Sequence, residues 1–311
     1  MHYTGTIWRP PYEASSLLLE ATAGCTHHRC KFCTLYNDLP FRFRMSPLAD
    51  VESDLQEAQL LSTDPIALLT ARLQGLPRPE HIRRAFLTGA NPFVLSGRRL
   101  MDIAELIQKY MPSIKTIGCF ARITDVTQKS DEELASLRQA GYDGLTIGIE
   151  TGDDEALDFM NKGYAAADIV EQCRRLDRAG IGYSFFYLVG ISGAGRGEIG
   201  AKATAEVCNQ LHPALIGVNM LTVYPDSELY QEIQRGRWKE ESELEKYREV
   251  RTLLENLNIP TRFAAMGASN AFQFQGSLPE EREVLAAALD RIIETVGEEE
   301  LRAYRVNLRH L

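Results

Sequence analysis

A parallel α/β fold follows from three features of this 311-residue sequence. Six short apolar runs alternate with helical sequence between residues 16 and 223. Glycines and polar residues gather where those runs end, at Gly24, Gly89, Arg122, Glu150, Gly190 and Tyr224. No internal repeat interrupts the alternation. Strands that alternate with helices form parallel βαβ units with right-handed crossovers. An open doubly wound sheet and a complete or partial barrel both satisfy that order. In either, ligands bind at the carboxyl edge of the strands.

The elements follow in chain order. Residues 16–22 read as the first strand, and a cysteine-rich loop follows it directly. Ser46 and Pro47 open a helix, the serine as cap and the proline in the first turn. Val51, Leu55, Ala58 and Leu61 continue it at helical spacing. Residues 86–88 form the second strand, with a helix over 100–110. Residues 116–121 form the third, and Ser130 with Glu133 starts the next helix with a capping box. Residues 145–149, 183–189 and 215–223 supply the remaining strands. Past residue 225 the rhythm changes. Residues 229–257 read as largely helical, 262–266 as one more strand and 279–296 as a helix. The expected organisation is a barrel over 1–225 with a mainly helical extension, 226–311, packed on it.

The chain carries 34 Lys and Arg against 43 Asp and Glu, a formal charge of −9. That balance argues against nucleic acid or an anionic membrane as the main partner. No apolar run approaches the roughly 20 residues that span a bilayer, and the N-terminus lacks the regions of a signal peptide. The expected compartment is the cytoplasm. There a disulfide framework is not expected for the six cysteines. Cys119, Cys173 and Cys208 read as small buried hydrophobes.

Cys25, Cys30 and Cys33 differ. Their spacing, C-x4-C-x2-C, converges three thiolates from one loop, which suits a soft metal or an iron–sulfur cluster. Zinc with His27 or His28 as fourth ligand is the competing reading. A structural zinc site usually draws on a second, separated ligand pair, and none is present.

This loop resembles that of the radical S-adenosylmethionine (SAM) superfamily, which has an aromatic residue before the last cysteine, as Phe32 is here. The usual spacing is C-x3-C-x2-C. The extra residue resembles the branch that contains the radical-SAM domain of the elongator catalytic subunit. The resemblance continues over roughly residues 15–285. Residues 86–92, which include Gly89, Ala90 and Asn91, stand in the place of the superfamily's Gly-Gly-Glu motif, without the glutamate. Residues 147–152 resemble a Gly-Leu-Glu-Ser-Gly motif, and Asn161-Lys162-Gly163 follows as in that branch. Ser269-Asn270 and residues 276–279 resemble a C-terminal motif of one subgroup, in which a histidine often stands where this chain has Gly267.

The resemblance implies a partial (β/α)6 TIM-like barrel. It also implies a [4Fe–4S] cluster on Cys25, Cys30 and Cys33, with S-adenosyl-L-methionine bound at the open iron. Phe32 would lie along the adenine or shield the cluster edge, and Gly89 would admit the methionine moiety. Glu150 would accept from ribose hydroxyls or the amino group, and Arg122 would pair with a carboxylate. For Glu150 and Arg122 a structural salt bridge is the competing reading, and for Gly89 a plain strand-to-helix turn. If Arg122 faces inward, strand alternation turns Cys119 toward the helices. Tyr187 and Tyr224 are candidates for substrate contact or for core packing. Arg42 and Arg44 suit either an anionic substrate or solvent. No further cysteine group or cobalamin signature is visible, so single-cluster hydrogen abstraction from a small molecule is expected. A flavodoxin or ferredoxin would supply the electron. A non-catalytic metal-binding adaptor on the same barrel is the alternative.

Overall fold

The computed structural model describes residues 1–75 and 82–306. The chain enters β1 (Leu17–Glu20), breaks at Ala21 and continues as β2 (Thr22–Gly24). The strand expected over 16–22 is therefore two. β2 pairs antiparallel with β3 (Phe43–Met45) as a separate two-stranded sheet, so the cysteine loop is the connection of a hairpin. Next come α1 (Leu48–Thr63), α2 (Pro65–Leu73) and β4 (Arg84–Thr88). Ser46 does not cap α1. Its hydroxyl donates to Glu20 Oε1 at 3.3 Å, and the helix starts beyond Pro47.

The alternation then runs through α3 (Gly97–Tyr110), β5 (Thr116–Ala121), α4 (Ile123–Thr127), α5 (Asp131–Gln139) and β6 (Tyr142–Glu150). The capping box expected at α5 is present: Ser130 and Glu133 exchange backbone-to-side-chain bonds of 2.9 and 3.1 Å. It continues with α6 (Asp154–Phe159), α7 (Ala166–Ala179), β7 (Gly182–Val189), α8 (Gly197–Cys208) and β8 (Leu215–Met220). The region 229–257 is broken into α9 (Glu228–Gln234) and α10 (Glu243–Asn256). Then follow β9 (Thr261–Ala265), β10 (Phe274–Leu278), α11 (Arg282–Thr295) and α12 (Glu298–Val306). Residues 307–311, the end of the expected extension, lie outside the described residues.

The main sheet has eight strands in the order β1-β4-β5-β6-β7-β8-β9-β10. The chain divides into two compact units. One comprises Met1–His28, Leu35–Thr146 and Arg178–Ile181, the other Arg29–Thr34, Ile147–Asp177 and Gly182–Leu311. In the first unit β1, β4 and β5 pair in parallel. The core is built from Leu55, Phe86, Leu87, Leu100, Ile103 and Leu134, all buried. At the amino end of its strands Arg84 binds Glu13 at 2.9 Å and also bonds Asp143 and Thr116.

In the second unit β7, β8 and β9 are parallel and β10 closes antiparallel on β9. β10 had no clear sequence signal, because its register with β9 depends on a partner already in place. On β7 Tyr183, Phe185, Tyr187 and Val189 are buried and the intervening residues are not. That alternation turns Tyr187 to the helix side, where its hydroxyl donates to Glu249 of α10. Tyr187 is thus a packed residue with a tethered hydroxyl and not a substrate contact. No helix among the described residues is long and apolar enough to cross a membrane.

Candidate functional site

The first half of the cysteine loop is held by its own hairpin. Gly24 adopts φ +78°, and an added Cβ there would run into the Arg42 carbonyl, so this close crossing needs glycine. Cys25 N–H donates to that carbonyl at 3.0 Å. The Arg42 guanidinium reaches back to the Thr26 carbonyl at 2.9 Å and to that of His27. Arg42 is therefore a staple of the loop, a role the sequence did not suggest. Arg44 instead bonds Thr4 Oγ1 and stacks over Phe41. The Cys25 sulfur accepts the His28 N–H at 3.5 Å, which ties the cysteine to the turn that follows it. The His28 ring is turned to Asn37, with Nε2 3.0 Å from Oδ1.

The second half of the loop belongs to the other unit and has its own anchors. Lys31 N–H donates to Met160 O at 3.2 Å, and Leu229 N–H donates to Lys31 O at 2.7 Å. Cys33 N–H closes a turn on Cys30 O at 3.1 Å. Phe32 packs on the buried cluster of Met160, Ile191, Leu221 and Leu229. Lys162 Nζ lies 5.8 Å from its ring centroid, within cation–π range. The same ammonium pairs with Glu150 Oε1 at 3.0 Å and donates to Gly148 O at 3.1 Å. Lys162 thus joins two of the expected residues, Phe32 and Glu150.

Glu150 ends β6 in an unusual backbone state. Its φ is +63°, and Thr151 N–H donates across it to Ile149 O at 2.8 Å, a tight γ-turn. A non-glycine residue held there costs of order 1–3 kcal/mol, and such strain clusters at functional sites. The space above Gly148 is filled by the Glu150 carboxylate itself, which a Cβ at Gly148 would strike.

Arg122 and Gly89 lie in the first unit. Arg122 precedes α4, and its guanidinium bonds Thr124 Oγ1 at 3.0 Å. Its N–H donates to Asp125 Oδ2 at 2.8 Å. Asp125 is buried, and desolvation pushes its carboxyl up to about 6 despite those bonds. Gly89 has φ +127°, and a Cβ there would collide with the hydroxyl and carbonyl of Thr22. The close approach that demands glycine is thus to Thr22. Cys119 is buried with Ile117 and Ala121, away from Phe120, and burial pushes its thiol up.

At Gly267 a Cβ would strike Asn219 Oδ1, so β8 itself fills the place of a side chain. Asn270 and Ser269 bind the β8 backbone nearby, at Val218 O and Met220 N. Sequence reasoning missed Asp125, and it named Lys162, Arg42 and Asn91 without the partners they take in the structure. Among the described residues, no three His, Cys, Asp or Glu side chains already converge at metal-binding distance.

Similarities to known proteins agree with this architecture. The Radical SAM superfamily matches residues 19–201. The heme chaperone HemW of Bacillus subtilis (strain 168) is 23% identical over 232 residues, covering 73% of this chain and 57% of HemW. The anaerobic magnesium-protoporphyrin IX monomethyl ester cyclase of Cereibacter sphaeroides is 29% identical over 157 residues, or 50% of this chain and 25% of the cyclase. This chain therefore spans between a quarter and just over half the length of these two relatives. In fold it is similar to coproporphyrinogen III oxidase (HemN) from Escherichia coli, with a TM-score of 0.54 and 16% identity over 77% of this chain and 50% of that one. It is also similar to the methyltransferase TsrM from Kitasatospora setae, at 0.52 and 18% over 71% and 39%. Fold, cysteine loop and the matched span coincide, and the chain belongs to the radical SAM superfamily, whose cofactors are a [4Fe–4S] cluster and S-adenosylmethionine.

Proposed function

We propose that this protein is a radical SAM enzyme that uses a single [4Fe–4S] cluster on Cys25, Cys30 and Cys33 to cleave SAM reductively. Hydrogen abstraction from a small molecule follows. The observation that carries this reading is the cysteine loop, fixed at both halves by backbone bonds directly after β1 and β2. Its donor set fits the cluster: the three cysteines are half-buried and outside any disulfide, and thiolate is the ligand iron–sulfur clusters take. Zinc would need His27 or His28, and His28 Nε2 is engaged by Asn37. When bound, the cluster and SAM supply one-electron cleavage of the sulfonium and a 5′-deoxyadenosyl radical.

The chain's own residues bind, orient and shield. Phe32, backed by Met160 and Leu229, keeps water from one side of the loop. Glu150 is held by Lys162 through Oε1, which leaves Oε2 to accept from the ribose or amino group of SAM. Arg122 pairs with a carboxylate, and Gly89 keeps the end of β4 free of side-chain bulk. Residues 1–225 carry these groups, and 226–311 extend the sheet with β9 and β10. A flavodoxin or ferredoxin supplies the electron, and a reducing cytoplasm keeps the thiols from pairing as disulfides. HemW is a heme chaperone and the cyclase is named for a magnesium porphyrin ester, so porphyrins are the first substrates to try.

Anaerobic reconstitution with iron and sulfide should load about four irons per chain, with the thiolate-to-iron absorption of a cubane cluster. Reduced protein given SAM should release 5′-deoxyadenosine and methionine. Stoichiometric zinc without a cluster, or a loaded cluster that leaves SAM intact, sinks the proposal.

A further inference from the structure

Asn91 lies in the segment that stands in the place of Gly-Gly-Glu, yet it is fully buried and faces the protein on both sides. Its Nδ2 donates to Thr26 Oγ1 at 2.8 Å and to the Asp125 carboxylate at 3.1 and 3.2 Å. Its Oδ1 accepts the Thr26 N–H at 3.4 Å. Among the described residues, the side-chain bonds of Asn91 thus go to the residue after Cys25 and to the carboxylate at the start of α4. Aspartate here would present only acceptors to Asp125, and leucine would leave that buried carboxylate short of a donor.

The platform beneath Asn91 is rigid. Pro92 follows it in a single 3₁₀ turn, Pro92–Val94, closed by Val94 N–H on Asn91 O at 3.0 Å. The buried Lys129 ammonium clamps that turn through Phe93 O at 2.6 Å and Leu95 O at 3.0 Å. Asp125 in turn accepts the Arg122 N–H.

We propose that Asn91, backed by the buried carboxylate of Asp125, is a positioning residue for the cluster loop. It holds Thr26, and with it the adjacent Cys25, in register with the turn that carries Arg122. This role deepens the assignment of Cys25 as a cluster ligand and rests on it.

The test begins on the apoprotein. The alkylation rate of Cys25 by iodoacetamide is followed by mass spectrometry, with Cys30 and Cys33 as internal references. Asn91→Leu should speed Cys25 alkylation roughly three- to tenfold, the change a lost neutral hydrogen bond makes in a local opening equilibrium. Thr26→Val removes the same bond from a half-buried position and should reproduce the effect. Asp125→Asn keeps an acceptor for both donors and should stay within about twofold of wild type. A Cys25 rate unchanged in both Asn91→Leu and Thr26→Val overturns the proposal, whatever happens to the melting temperature. After reconstitution, Asn91→Leu should hold less iron and show an altered electron paramagnetic resonance signal. Wild-type iron content and signal in that variant also overturn it. Cys25→Ala separates the two ideas: full iron loading there removes Cys25 from the ligand set, while the alkylation result still judges the Asn91 clamp.

Discussion

Glu150 shows how much one residue's conformation adds to its identity. In the sequence it is a carboxylate closing an apolar strand. In the structure its backbone is held left-handed, its Oε1 is tied to Lys162, and Lys162 in turn faces the Phe32 ring. The ion pair expected as the competing reading is present, and the strain is what a purely structural pair does not need. Glu150→Gln should therefore weaken SAM binding by about 1.5–3 kcal/mol, or roughly ten- to a hundredfold in affinity, with iron content unchanged. Calorimetric titration of the reconstituted protein measures it. Unchanged affinity together with a lower melting temperature would show that Glu150 serves only as the partner of Lys162.

At the scale of elements, the two ends of the strands in the first unit have different tasks. The carboxyl ends carry Gly24, Gly89 and Arg122. The amino ends are closed by Arg84, whose guanidinium joins β4 to Glu13, to Thr116 of β5 and to Asp143 of β6. A Cβ at Gly118 would strike this guanidinium, so β5 provides glycine where the ion pair crosses it. Removing one partner of a buried pair leaves the other charge uncompensated. Arg84→Ala should cost stability toward the lower end of roughly 3–5 kcal/mol, because Arg84 is partly exposed. Chemical denaturation measures the loss, and iron loading of the surviving folded protein should match wild type. Loss of cluster binding at undiminished stability would place Arg84 in the functional site instead.

Across the whole molecule, stability should depend on pH through a buried carboxyl pair in the second unit. Glu249 accepts from the Tyr187 hydroxyl and from Gly190 N–H at 2.8 Å. Glu241 is equally buried, and among the described residues its oxygens have no hydrogen-bond partner outside this carboxyl pair. Both carboxyls crowd Gly197, where a Cβ would strike one oxygen of each. Burial raises both, and Glu249 adds to the rise at Glu241, so one proton stays on the pair. A folded-state rise means that this contribution is complete below the ordinary carboxylate range. It is lost as pH climbs through the raised value. Glu241→Gln keeps the shape without the titration, and its melting temperature should fall less than wild type's between neutral and alkaline pH. Parallel melting curves for the two proteins would refute the shared proton.

The alternation of strands and helices, the capping box at Ser130 and the cysteine spacing were readable because each is set by neighbours close in sequence. Pleat, helical period and a nine-residue loop are local properties. That is why the parallel fold, the superfamily and the burial of Cys119 were legible in the order of residues alone. The rest depended on contacts between residues tens of positions apart. β2 left the first strand because β3 lay about twenty residues on to receive it. Ser46 served Glu20 instead of its helix, and Tyr187 found Glu249. Asn91 looked like a gap in a motif until Thr26 and Asp125 were brought to either side of it. The sequence by itself determined which chemistry the chain carries. Only the tertiary structure decided which side chains hold that chemistry in place, because a buried polar group takes its role from the partner that satisfies it, and folding alone selects that partner.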